Sequence, residues 1–513
     1  MLCALCVASA ARLGTGTGRL STTGRTLGLA ATASGSRARR SGFAQMSVFS
    51  DGGMLRSLVD GLTGAGGASV LRAVDDTAPS WEDLSELLAA ASTEEERGFR
   101  ERLASGRGDE ASALAPLRLF DAASKEDVRV TLYRDTAAWC PYCEKVWLAL
   151  EEKRVPYAVE KVNMNCYGEK PGWFWAMQPS GGIPVARIDG KVITESNAIL
   201  FAIERQFTGI PLLPAEGAPG HERVQPLLSL EREIFSSWFR WLTSSMNQGG
   251  QQKNFEALMT KVNHELGVSG GPFFLGERLS LVDCMFAPFL ERMAASVLYY
   301  KGIPIRRNPK WPHVEQWFLA MEARPSYRHI QSDFYTHVHD LPPQVGRCHS
   351  MPGAAKYADE IDGADGSWTL PLQDDDGTLL QPLSGLGFSA EQAARQAAER
   401  IIANRVNVVR FAARGAGRTG FPPVSAALSD PNAVPDEAAI PQVDIALRHV
   451  VHSLLVGDEV AGKSFTTGLD SAVAVKTLGY LRDRISVPRD MGYPAARTLR
   501  AHLNWAIEKA GAA

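Results

Sequence analysis

The stretch VRVTLYRDTAAWCPYCEKVWLALEEK, residues 128–153, decides how the rest of the chain is read. Residues 128–133 alternate apolar and polar side chains, the period of a strand, and residues 144–153 space their apolar side chains for a helix. Between them Trp139-Cys140-Pro141-Tyr142-Cys143 sets two thiols, separated by two residues, at the opening of that helix. Free N–H groups and the positive end of the helix dipole favour thiolate at Cys140. Cys140 is therefore the candidate nucleophile, and Cys143, one turn further in, is placed to resolve a mixed disulfide formed on it. The alternative is half a zinc site, which a second Cys or His pair would have to complete. Cys166, His221 and His264 each stand alone in the sequence, so thiol chemistry is preferred and no metal is expected.

Outward from the motif, the order continues as strand 157–162, helix 170–177, strands 185–188 and 191–193, and helix 195–206, which is the thioredoxin-type order. Pro184 follows the turn formers of residues 179–182 and opens a strand, a setting compatible with a cis Ile183–Pro184 bond. The N–H and C=O of Ile183 can then pair with an extended peptide at the strand edge, and γ-glutamyl-cysteinyl-glycine fits such an edge. Thr194-Glu195-Ser196 opens the next helix, where N–H groups and the Ser196 hydroxyl suit a carboxylate and Glu195 suits an ammonium. In isolation these residues read as a helix cap. Their place after Cys-x-x-Cys and Ile-Pro favours the zwitterionic γ-glutamyl end of the peptide.

The chain of 513 residues has room for three domains. Residues 1–50 hold six arginines, no lysine and no acidic residue, and read as a transit peptide, with a disordered tail as the alternative. Residues 51–125 read as an N-terminal extension with helices over 81–91 and 93–103; its Trp81 and Leu84 either pack on the domain that follows or face solvent. Residues 126–208 form the thioredoxin-like domain. After a Pro-rich linker, residues 220–338 read as all-helical, rich in buried aromatics, with Ser280 to Asp283 as a capping box. Residues 350–513 read as a further, mainly helical domain. Its Arg484, Arg489, Arg497, Arg500 and His502 read as a solvated face, with an anion or partner site as the alternative.

A net charge of -3 gives no footprint for nucleic acid. Seven irregularly spaced cysteines do not describe a secreted disulfide scaffold. The most apolar internal run, residues 281–300, contains Asp283, Glu291 and Arg292, and reads as a buried helix, not a membrane span.

Four segments, VTLYRDTAAWCPYCEKVWLALEEKRVPY, CYGEKPGWFW, PSGGIPV and ITESNAIL, together resemble the glutathione transferases, over residues 128–335. The Cys-Pro-Tyr-Cys form followed by a further C-terminal domain is similar to the iota class of photosynthetic organisms. The resemblance implies an α/β thioredoxin-like domain plus an all-α transferase C-terminal domain, followed by an additional mainly helical domain. It implies Cys140 as the catalytic cysteine, regenerated by a second glutathione or by Cys143, with Tyr142 beside the thiol, Ile183 as backbone partner of the glutathione cysteine, and Pro184 as the cis proline. Glu195 and Ser196 would hold the γ-glutamyl group. Lys170 would reach the glycyl carboxylate, or else be a solvated surface lysine.

A cysteine attacks glutathione disulfides and becomes glutathionylated, whereas a hydroxyl only stabilises the glutathione thiolate. The resemblance therefore implies a chloroplast thiol transferase or deglutathionylase, with glutathione as co-substrate and no metal. Its partners would be glutathionylated proteins or small disulfides, with no nucleic acid and no membrane, and it leaves monomer and homodimer both open. Dehydroascorbate reduction is one alternative. A non-catalytic ligand-binding or scaffold role through the C-terminal helical domain is the other.

Overall fold

The computed structural model describes residues 75–383 and 387–512, and the transit-peptide reading of residues 1–50 lies outside them. Helices α1 (Trp81–Ala91) and α2 (Glu94–Ala104) each open with a reciprocal capping box, Ser80 with Asp83 and Thr93 with Glu96. These boxes satisfy donors that the first turn leaves without intrahelical partners.

Five strands make one sheet in the order β1-β3-β2-β4-β5: β1 (Leu117–Arg118), β2 (Val130–Asp135), β3 (Tyr157–Val162), β4 (Val185–Ile188) and β5 (Lys191–Thr194). β2 and β3 are parallel and the other neighbours antiparallel. A parallel pair needs a crossover, and α3 (Pro141–Glu152) supplies it. β2 starts at Val130, opposite Tyr157, two residues later than its alternation suggests, because pairing with β3 sets its ends. Its Arg134 is buried over the Trp147 ring, 4.5 Å from the centroid, and donates to the carbonyls of Ala113 and Asp135. Helices α4 (Gly172–Met177) and α5 (Ser196–Gln206) complete the thioredoxin-like unit.

The helical unit that follows contains α6 (His221–Thr243), α7 (Gln248–Gly267), α8 (Leu281–Lys301), α9 (Pro312–Glu322), α10 (Pro325–Arg328) and α11 (Phe334–Val345). α8 is buried along nearly its whole length. Its capping box forms as the sequence suggests: the buried Asp283 carboxylate accepts from Ser280 N–H (2.8 Å), Ser280 Oγ (2.6 Å), Phe274 N–H (3.1 Å) and Trp317 Nε1 (2.8 Å). Four donors offset the cost of burying that carboxylate. No described helix is long and apolar enough to cross a membrane.

The C-terminal part adds α12 (Ala355–Ile361), α13 (Ala390–Ala403), α14 (Arg405–Ala413), α15 (Ile440–Val456), α16 (Asp458–Gly462), α17 (Ser471–Arg482) and α18 (Tyr493–Ala512). α13 and α14 are separated at Asn404, which leaves helical geometry at φ -129°. Leu84 and Leu88 of α1 bury in the same core as Ile401, Val443, Leu447, Leu478 and Leu499. The Trp81 indole donates to Asp444 at 2.8 Å. The first described helix thus completes the core of the last part of the chain, not that of the unit after it.

The solvated-face reading of the arginines is corrected. Arg500 is buried in an ion pair with Asp333 at 2.6 Å, and Arg489 with Asp490 at 2.7 Å. Arg484 lies 3.7 Å from the Tyr480 ring centroid, Arg497 donates to the Gln373 carbonyl, and His502 shares a 2.7 Å bond with Ser453. Polarity assigns such side chains to the outside unless partners neutralise them, and several of these partners lie far away in sequence.

Candidate active site

Cys140 is the N-cap of α3, and Pro141 takes the first helical position, where a missing N–H costs nothing. The Cys140 carbonyl accepts from the N–H groups of Cys143 and Glu144, both at 3.0 Å. Cys140 retains 7% exposure against 1% for Cys143, so a disulfide partner meets Cys140 first. Burial and the neighbouring Cys140 push the Cys143 thiol well above its ordinary value, which keeps it protonated.

Three residues outside the sequence-derived site set hold the motif: one stands beside the thiols and two behind Trp139. Asp135, at the end of β2, is fully buried. One of its oxygens accepts the Trp139 N–H at 2.6 Å and the other has no hydrogen-bond partner. Ala138 sits at φ +54° in the tight turn between them. The Asp135 carboxylate and the two thiol sulfurs all lie within 4.8 Å of one another, and among the described residues they form the group close enough to surround a metal ion. The third donor to such a half-site is thus a carboxylate five residues before Cys140, not a member of another Cys or His pair. A tetrahedral ion would still take a fourth donor from elsewhere.

The other two are His337 and Glu291. Trp139 Nε1 donates to His337 Nδ1 at 3.1 Å, so the neutral ring carries its proton on Nε2, 3.2 Å from Glu291. Burial and the Arg292 charge hold His337 well below its ordinary value. Arg292 donates to the Trp139 carbonyl and pairs with Glu144 at 2.9 Å. Burial raises both Glu144 and Glu291, against the pull of Arg292. The residue before Cys140 is therefore held on its N–H, its carbonyl and its indole. Asp135 had a sequence signal, an acid at a strand end next to the motif; His337, 198 positions from Trp139, had none.

The residues singled out in sequence fall as follows. Lys170 is buried just before α4 and donates to Asn165. Desolvation lowers its pKa, opposed by the thiols of Cys140, Cys166 and Cys143, which its ammonium faces. It is not a solvated surface lysine. The Ile183–Pro184 bond is cis and leads directly into β4. Glu195 is exposed at φ +66°, an unusual conformation for a side-chain-bearing residue. It is the N-cap of α5, yet no side chain caps that helix, and Ser196 is buried at its first position. The pure capping reading of Thr194 to Ser196 thus loses its hydrogen bond. Tyr142 turns towards the helical unit, its ring centroid 5.7 Å from that of Phe289 in an edge-to-face contact, with Lys145 over its face.

Two family models match the chain: "Glutathione S-transferase, N-terminal domain" over residues 139–206 and "Glutathione S-transferase, C-terminal domain" over residues 215–320. The chain is similar to "Probable glutathione S-transferase DHAR1, cytosolic" of Oryza sativa subsp. japonica, 33% identical over 38% of this chain and 84% of the relative. It is likewise similar to "Glutathione S-transferase DHAR3, chloroplastic" of Arabidopsis thaliana, 30% identical over 38% of this chain and 69% of the relative. A crystal structure of Chlamydomonas reinhardtii dehydroascorbate reductase aligns with 41% of this chain and 96% of its own, at 21% identity and a TM-score of 0.36. With its sheet, its helical unit and two relatives at this identity over most of their length, the chain belongs to the glutathione S-transferase family.

Proposed function

We propose that this glutathione transferase is a cysteine-type thiol transferase of the iota class, acting on glutathionylated proteins or small mixed disulfides in the plastid. The observation that carries this reading is the unequal pair at the head of α3, with Cys140 reachable and Cys143 buried and protonated. Cys140 thiolate attacks the glutathionyl sulfur of a mixed disulfide; the Cys140–glutathione disulfide forms, and the substrate leaves as a thiolate that takes a proton. A second glutathione thiolate then attacks the bound glutathionyl sulfur, releasing glutathione disulfide and Cys140 thiolate. On the dithiol route the Cys143 sulfur attacks the Cys140 sulfur instead, the Cys143 proton passes to the free oxygen of Asp135, glutathione leaves as its thiolate, and two further glutathiones reduce the Cys140–Cys143 disulfide and leave as glutathione disulfide. The chemistry uses no metal.

In this reading the Ile183 backbone pairs with the glutathione cysteine, the uncapped start of α5 with Glu195 and Ser196 takes the γ-glutamyl end, and Lys170 takes the glycyl carboxylate. Tyr142 stands beside the Cys140 thiol. The test is glutathione-dependent reduction of a mixed-disulfide substrate by wild type, Cys140→Ser and Cys143→Ser. Activity lost in the first and kept in the second establishes a monothiol route. Loss in both requires the dithiol route, and an inactive wild type rejects the reading. Because the relatives carry the DHAR name, the second reading is dehydroascorbate reduction by the same thiolate, decided by assaying both substrates side by side.

A further inference from the structure

The segment 163–170, between β3 and α4, carries Lys170 and has no regular secondary structure. It is held from three sides. Thr136, in the turn before the motif, donates to Asn163 at 3.1 Å. The Cys166 carbonyl accepts the Ala426 N–H at 3.1 Å. The Tyr167 hydroxyl lies 2.8 Å from both carboxylate oxygens of Asp340, on α11.

Arg489 is buried, pairs with Asp490 at 2.7 Å, donates to the Leu428 carbonyl at 3.2 Å, and interacts through its charge with Tyr167 and Asp340. Ala426 and Leu428 bury in the same apolar core as Trp139, Cys140, Cys143, Cys166 and Tyr167. α11 is fixed in turn by Val487 N–H on Thr336 Oγ1 at 3.0 Å and by the Asp333–Arg500 ion pair. The family models end at residue 320, so Asp340, Ala426, Leu428 and Arg489 all lie beyond the matched part.

We propose that α11 and the C-terminal extension act as a clamp that keeps the 163–170 segment in its glutathione-binding position. Asp340 is then a positioning residue that acts on Lys170 through Tyr167, and Arg489 ties the Leu428 segment to the extension. The proposal rests on the reading of Lys170 as a glutathione ligand. A segment without its own ladder hydrogen bonds loses ordering entropy each time it closes on a ligand, and fixing it beforehand removes that cost from binding. The extension on this account is part of the glutathione site's wall, not an appended module.

The test uses the reduced full-length protein with Tyr167→Phe and Asp340→Asn, beside Tyr335→Phe. The last removes another hydroxyl bond between α11 and the extension, 3.0 Å to the Asp483 carbonyl, which does not touch the segment. Glutathione affinity by calorimetry and amide hydrogen exchange across 163–170 are read together. The expected result is about tenfold weaker binding and faster exchange in that segment for Tyr167→Phe, the size of one lost buried hydrogen bond, and a smaller change of the same sign for Asp340→Asn, which keeps an acceptor for the Tyr167 hydroxyl but loses the charge. Exchange in α8 should stay at the wild-type rate, and Tyr335→Phe should match wild type in both readouts.

Wild-type affinity in a folded Tyr167→Phe protein overturns the proposal, as does equal weakening by Tyr335→Phe. A wild type that does not bind glutathione overturns the functional reading and the proposal with it. Should Asp340→Asn fail to fold, Tyr167→Phe, which removes only a hydroxyl, decides the outcome.

Discussion

The thiols at the head of α3 and the guanidiniums around α18 are brought to their partners over different distances along the chain. Cys140 and Cys143 meet because one helical turn brings them together, and Asp135 joins them from the strand immediately before. Arg500 finds Asp333 from 167 positions away, and Arg489 reaches the Leu428 carbonyl from 61. Both regions are dense in one kind of chemistry. The first is assembled by local geometry and keeps a reachable thiol; the second is assembled by domain packing and ends buried and neutralised. A run of charged residues therefore says little about its setting until its partners are known, whereas two thiols at a helix start already contain most of theirs.

The sharpest way to break this contrast is Cys140→Ser, expected to reduce glutathione-dependent disulfide reduction to background while leaving the far-ultraviolet circular dichroism spectrum unchanged. Retained activity would remove the local thiol pair from the chemistry.

Next in size is Asp333→Ala, which strips the buried Arg500 of its partner and α11 of its cap on the Thr336 N–H. Leaving a buried charge uncompensated costs about 3–5 kcal/mol, read as a fall in the denaturant midpoint. A change below about 1 kcal/mol would show that the extension tolerates an unpaired guanidinium and is less tightly assembled than the contacts suggest.

The extension should also reveal itself by pH. Burial holds His449 and His502 at about 4, below the ordinary 6.5. The unfolded chain takes up these protons below about pH 6.5 while the folded chain does not. Stability from this source is therefore full above that pH and falls towards pH 4, by about 1.4 kcal/mol per unit for each residue. His502→Gln should flatten the fall by one residue's share in urea titrations at successive pH values. An unchanged slope would mean that His502 protonates within the fold.

The smallest expected effect belongs to the local region. Asp135→Asn keeps an acceptor for the Trp139 N–H but removes the carboxylate facing Cys143. Glutathione release from the Cys140 mixed disulfide, without added glutathione, should slow about a hundredfold, the low end for a positioned base. An unchanged single-turnover rate would leave Asp135 as an anchor of Trp139 alone.

Most of the fold was legible from residues 126–345. β3 and β4 match the sequence reading residue for residue, because period-2 runs bounded by turn formers leave little freedom. α4 begins at Gly172 and not at Lys170, since Pro171 occupies its N-cap, and this leaves Lys170 in the loop facing the thiols. Of the site, the motif, the Ile-Pro turn and the Glu-Ser helix start could be picked out in sequence. His337 and Glu291 could not, because a buried histidine on one helix and a glutamate on another carry no mark of the indole that they hold.

The sequence by itself determined the elements and the thiol pair, since period, capping and a three-residue spacing act over a few positions. Only the tertiary structure decided that α1 closes the core of the last helical part, that Arg489 and Arg500 are buried, and that the extension touches the 163–170 segment. Those outcomes rest on apolar burial and charge pairing between residues hundreds of positions apart. No local pattern encodes such contacts, because each partner's own sequence neighbourhood is equally compatible with solvent.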